Sequence, residues 1–200
     1  TIMRLLQGPA VAKTVVARPA CALLRQLAGS DTIKPGIIKA GGLPAMIQIM
    51  QIHSENQEKA TKGPELATVE QAIGVLTAVS LRNPTGAAAM AEAGCLGAVI
   101  AAMRALPCAP NVQRQACMCL RNVVVRNPEN KPLILEKGAE ALILAAKQNH
   151  SRECLDVGSA ALRDLGCDNY NKGWKPTTVI MGADGVMRTP KELEELSDEQ

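Results

Sequence analysis

Residues 116–123 read Ala116-Cys-Met-Cys-Leu120-Arg-Asn-Val123, a small residue, then Leu four positions on, then an apolar residue three further. Such positions fall on one face of a 3.6-residue helix, forming an apolar stripe whose small residue lets a neighbouring helix come close. The spacing recurs in Ala20-Cys-Ala-Leu-Leu24-Arg-Gln-Leu27, in Ala72-Ile-Gly-Val-Leu76-Thr-Ala-Val79 and in Gly158-Ser-Ala-Ala-Leu162-Arg-Asp-Leu165. The anchoring leucines Leu24, Leu76, Leu120 and Leu162 stand 52, 44 and 42 residues apart. A helix-stopping glycine follows each of the first three, in Ala40-Gly41-Gly42, Ala93-Gly94 and Lys137-Gly138, with apolar stretches on either side.

One unit therefore reads as short helix, Gly corner, middle helix, loop and long helix. Asn127-Pro128 is an N-cap followed by proline at the first helical position, opening a short helix that stops at Gly138. Thr68-Val-Glu-Gln71 is a capping box that places the start of the second long helix. Long helices are expected near 15–29, 68–82, 111–126 and 152–166. No unit can bury its stripe alone, and stacking the units makes a continuous core. Pro19 falls inside the first long helix, where a kink or a late start is expected.

Composition agrees. Phe is absent, Tyr170 and Trp174 are the only aromatics, and Ala is abundant, so the core must be small and aliphatic. That suits close-packed helices rather than a sandwich or barrel, and it excludes base-stacking modules. The net charge is +3 with no basic cluster, which gives no sign of nucleic-acid binding. No apolar run approaches a membrane span and no signal peptide is visible. The chain opens at Thr1, which reads as a processed chain or a piece of a longer one. Seven cysteines without a C-x-x-C pair read as buried thiols of a reducing cytoplasm.

Repeats of this length, built from such a three-helix unit, resemble the armadillo-repeat family over roughly residues 1–168. The local matches are strongest at Leu24–Gly42, Leu76–Gly94 and Val112–Gly138. The resemblance implies an all-α fold, a right-handed superhelix or α-solenoid of about four repeats. The units run about 1–42, 43–94, 95–138 and 139–168, and a loosely ordered extension follows over 169–200. The first unit lacks its early helices. The long first spacing is absorbed by the polar stretch His53–Ala67, which reads as a surface loop.

No chemistry is expected. His53 and His150 read as surface polar residues without catalytic context, and phosphate and dinucleotide cradles are missing. Asp168–Gly173 fails as a calcium loop, since Tyr170 and Lys172 stand where oxygen ligands are needed. Thr177–Met181 and Val186–Thr189 can pair as a hairpin, and Thr189-Pro-Lys-Glu192 starts a short acidic helix. No metal or cofactor is implied, and the chain is expected not to be an enzyme.

What remains is a surface. In armadillo proteins the long helices line a concave groove that binds extended peptides or proteins. Members that bind nuclear localisation signals carry Trp and Asn four residues apart there. Here the Asn position holds Gln26, Ala78, Asn122 and Asp164, and the Trp position holds Ala22, Gly74, Met118 and Ala160. The likeness to those members is thus confined to the fold, while Asn122 with Lys131 matches a pair used by catenin-like grooves. Helical steps from Asn122 place Asn111, Gln115, Met118 and Arg126 on one stripe, with Glu70, Gly74, Ala78 and Arg82 one repeat earlier. Arg82, Gln115, Met118, Asn122, Arg126 and Lys131 are therefore the expected groove residues. A positive edge beside an amide suits an acidic or phosphorylated extended peptide. The leading expectation is a cytoplasmic scaffold, also able to act in the nucleus. The second is the substrate-recruiting array of a U-box ubiquitin ligase whose catalytic module lies outside this chain.

Overall fold

The computed structural model describes residues 2–125, 127–171, 180–181 and 186–188. It is all-helical through its core. Helix α1 covers Ile2–Leu6 and leads through a 3-10 turn at Pro9–Ala12 into α2, Thr14–Leu27. Then come α3 (Lys34–Lys39), α4 (Gly42–Ser54), α5 (Pro64–Ser80), α6 (Pro84–Glu92), α7 (Cys95–Ala105) and α8 (Pro110–Val125). A second 3-10 turn, Pro128–Asn130, precedes α9 (Lys131–Glu136), α10 (Ala139–Asn149) and α11 (Ser151–Leu165).

The long helices pack in series, α2 on α5, α5 on α8 and α8 on α11. The middle helices form a parallel series, α4 on α7 and α7 on α10, and each also packs on the long helix that follows it. Leu24, Leu76, Leu120 and Leu162 are all buried in one continuous cluster that runs from Leu6 to Cys167. The turn from short to middle helix is made at Gly41, Gly94 and Gly138, with φ of 81°, 79° and 79°. A side chain would be strained in that left-handed region, which is why glycine recurs there.

Several details differ from expectation, among them Asn127, whose side chain makes no cap bond and which opens a 3-10 turn before α9 starts at Lys131. The second long helix starts at Pro64 instead of Thr68, because Gly63 and Pro64 supply the entry. Thr68 is buried, and its hydroxyl donates to the Pro64 carbonyl at 2.7 Å instead of capping. The polar loop is accordingly shorter, 55–63. Helix α2 neither starts late nor breaks at Pro19, which sits exposed within it.

Strands Ile180–Met181 and Met187–Arg188 pair antiparallel, Ile180 opposite Arg188 and Met181 opposite Met187, as the hairpin expectation requires. The acidic helix expected from Thr189 lies outside the described residues. The turn at Asp168–Asn171 is held by Lys147, a buried residue of α10 whose Nζ donates to the Tyr170 carbonyl at 2.6 Å. Burial pushes the Lys147 ammonium below its ordinary range. Its stem lies on Gly158, where a Cβ would come within 2.6 Å of Lys147 Cγ.

Candidate functional site

In the long-helix series a cleft of about 490 Å³ opens between α2 and α5. Thr14, Val15, Arg18, Pro19 and Ala22 of α2 face Pro64 and Gln71 of α5. Proline has no N–H, so Pro19 leaves the carbonyl of Val15 without the amide that would close its helical turn. Val15 is 79% exposed, so that wall of the cleft meets solvent with a backbone acceptor to offer.

Arg25, two turns beyond Arg18 on the same helix face, is half-buried and bridges to α5. Its guanidinium lies against Gly74: a Cβ there would fall 2.8 Å from Arg25 Cδ and 3.0 Å from Nε. The only polar partner of Arg25 among the described residues is the amide oxygen of Gln71, at 3.5 Å from Nη1. The ion pairs among the described residues are Lys34–Asp31, His53–Glu65, Arg121–Asp164 and Arg163–Asp164. Neither Arg18 nor Arg25 belongs to one. The cleft thus combines apolar walls, a backbone acceptor, the Gln71 amide and the Arg18 guanidinium, and Arg25 adjoins it through its contact with Gln71.

The expected groove residues are distributed differently. Gln115 is 2% exposed and cannot line an open groove, because its Nε2 donates to the Thr77 hydroxyl at 2.7 Å across the joint between α8 and α5. Asn122 is half-buried and its Nδ2 donates to the Thr77 carbonyl at 3.3 Å, so both amides converge on one residue of the neighbouring helix. Met118 is half-buried on α8. Arg82 is exposed in the turn after α5, with φ of 53°, away from the long-helix stripe. Its charge acts on Asp31, whose carboxyl is held below the usual range first by the hydrogen bond from Lys34, then by that ammonium's charge, and least by Arg82. Lys131 opens α9 half-buried; its backbone N–H donates to the Pro128 carbonyl, and its side chain makes no ion pair or hydrogen bond among the described residues. Arg126 lies outside the described residues. Sequence reasoning missed Arg18 and Arg25. The signal was present, since Arg follows the anchoring Leu at 25, 121 and 163, but the unpaired state of Arg25 depends on which residue the next helix presents.

His53 is corrected from surface residue to core residue. At 2% exposure its Nε2–H donates to the Val11 carbonyl at 2.9 Å, and its Nδ1 meets the Glu65 carboxylate. It ties the first 3-10 turn to the start of α5. His150 is half-buried, with Nε2 donating to the Pro107 carbonyl at 2.8 Å. All seven cysteines are free; six are buried and Cys108 is half-buried. Burial pushes the Cys21, Cys95 and Cys119 thiols up to about 12 and Cys154 to about 11, and raises Cys117 as well, so these are inert apolar groups rather than nucleophiles. Among the described residues, no three His, Cys, Asp or Glu side chains gather as a metal site, and no single helix is long and apolar enough to cross a membrane.

A larger cleft of about 600 Å³ opens in the middle-helix series, between α4 and α7. Its floor is Met50 with Ala98, Ala101, Ala102 and Ala105, and Glu55 and Glu58 stand among the residues lining it. No protein-family model matches the chain, and no curated protein matches it either.

Proposed function

We propose that this chain is a non-enzymatic interaction scaffold of the armadillo type, a right-handed stack of helical repeats whose long helices hold an extended peptide or a protein partner. The observation that carries the reading is the α2/α5 cleft. It lies along the series of long helices and presents side-chain donors and a backbone acceptor beside an apolar floor. A main chain with unpaired N–H and C=O groups is what such a wall satisfies. The serial packing of α2, α5, α8 and α11 supports the repeat architecture, with its four leucine anchors in one core. Seven free thiols suit a reducing compartment, in keeping with a cytoplasmic protein that also works in the nucleus.

The test is site-specific photo-crosslinking. A benzoylphenylalanine is placed at position 22 in the α2/α5 cleft, or at position 101 in the α4/α7 cleft. The scaffold reading expects a partner chain crosslinked from 22 and not from 101. Crosslinks from 101 alone, or none from 22 while a partner is bound, overturn it.

A further inference from the structure

We infer that the α2/α5 cleft selects an acidic segment of its partner, with the Arg25 guanidinium, seated on Gly74, as the group that takes the carboxylate. The inference rests on the scaffold reading and specifies its ligand. Arg18 and Arg25 lie seven residues apart on one helix, about 10 Å along its axis, and no residue lining the cleft is acidic. The repeat itself provides the contrast. Arg121, which follows Leu120 as Arg25 follows Leu24, donates from Nε to Asp164 at 2.8 Å, and Arg163 donates to the same carboxylate at 3.0 Å. At the α8/α11 joint the cations are neutralised within the chain. At the α2/α5 joint the corresponding arginine faces Gln71 and Gly74, which bring no charge.

A guanidinium carries five N–H donors in a fixed fork that matches a carboxylate, and here a single amide oxygen takes up one of them. Half-buried, it is shielded enough from water for an incoming charge to count, and its Nη1 stands 3.5 Å from the amide oxygen of Gln71, which lines the cleft. Gly74 is part of the device. Any Cβ at 74 would displace the Arg25 stem, which would have to leave its seat beside Gln71. The partner is an extended segment rich in Asp and Glu, its side chains meeting Arg25 and Arg18 and its backbone meeting Gln71 and the Val15 carbonyl.

The experiment exposes the full chain to a bead-displayed library of random dodecapeptides of both net charges, followed by fluorescence anisotropy on the enriched sequences. Enriched peptides should carry an excess of Asp and Glu. Arg25→Met and Gly74→Ala should each weaken them about tenfold, the loss of one charge-assisted contact. Arg25→Glu should shift the enrichment toward Lys and Arg. Ala is a better helix former than Gly, so Gly74→Ala keeps the fold, and an unchanged thermal midpoint verifies this. Enrichment of neutral or basic peptides, or acidic peptides that bind Arg25→Glu as well as wild type, overturns the inference. If the enriched peptides still crosslink from position 22, the scaffold reading survives that result. If they do not, both fall.

Discussion

Gln115 of α8 reaches across to Thr77 of α5 and donates to its hydroxyl at 2.7 Å, while that hydroxyl donates to the Ile73 carbonyl at 2.9 Å. The bond joins consecutive long helices inside the core, where neither partner can turn to water. Gln115→Ala should therefore destabilise the chain by about 1–3 kcal/mol. Thr77→Val should remove most of that effect in the double variant, as a coupling of about 1 kcal/mol. Urea unfolding of the four proteins checks this, and strictly additive losses would show that the bond is not formed.

Leu120 is fully buried between the stacked helices. Leu120→Ala should cost roughly 2–5 kcal/mol, because a close-packed joint cannot collapse around the missing atoms. A loss under about 1 kcal/mol in the same unfolding experiment would contradict the packing.

His53 connects elements rather than exposing itself to solvent. His53→Ala strands the Val11 carbonyl and releases the Glu65 carboxylate, and an unsatisfied buried group costs about 1–3 kcal/mol. Hydrogen exchange should rise together in the Pro9–Ala12 turn and at the start of α5. Unchanged exchange in both would mean that the imidazole is not their tie.

The buried thiols set an alkaline limit. Burial raises their folded-state values above the ordinary thiol value of 9.0, to about 12 for Cys21, Cys95 and Cys119. The folded state then holds more protons than the unfolded chain, so stability is complete below about pH 9 and falls as pH rises toward 12. The slope is at most about 1.4 kcal/mol per pH unit for each thiol. Lys147 opposes this as a single group, its value being lowered by burial. Urea midpoints should fall from pH 8.5 to pH 10.5, and serine replacement of Cys21 and Cys119 should flatten the decline. A flat profile in the wild-type chain would show that these thiols are not desolvated.

The architecture was legible because it is periodic. The spacing of Ala116, Leu120 and Val123 recurs in every long helix, and the glycines after it take the left-handed conformation that such corners demand. Boundaries were less legible where two start signals compete. Thr68 carries a capping box, but Gly63-Pro64 starts the helix earlier and turns Thr68 into a core residue. The surroundings of the expected groove residues were less legible still. Helical steps along α8 put Gln115 beside Asn122, yet only the approach of α5 determines that Thr77 takes up both amides. Likewise Arg25 meets only the uncharged Gln71 amide across the α2/α5 joint, while Arg121 meets the Asp164 carboxylate across the α8/α11 joint.

The most direct test of the account is hydrogen–deuterium exchange of the full chain with and without an enriched acidic peptide. Slowed exchange confined to α2 and the first half of α5, residues 14–25 and 64–74, is the predicted result. Protection confined to α4 and α7, around Ala98–Ala105, would contradict it and transfer binding to the other series of helices.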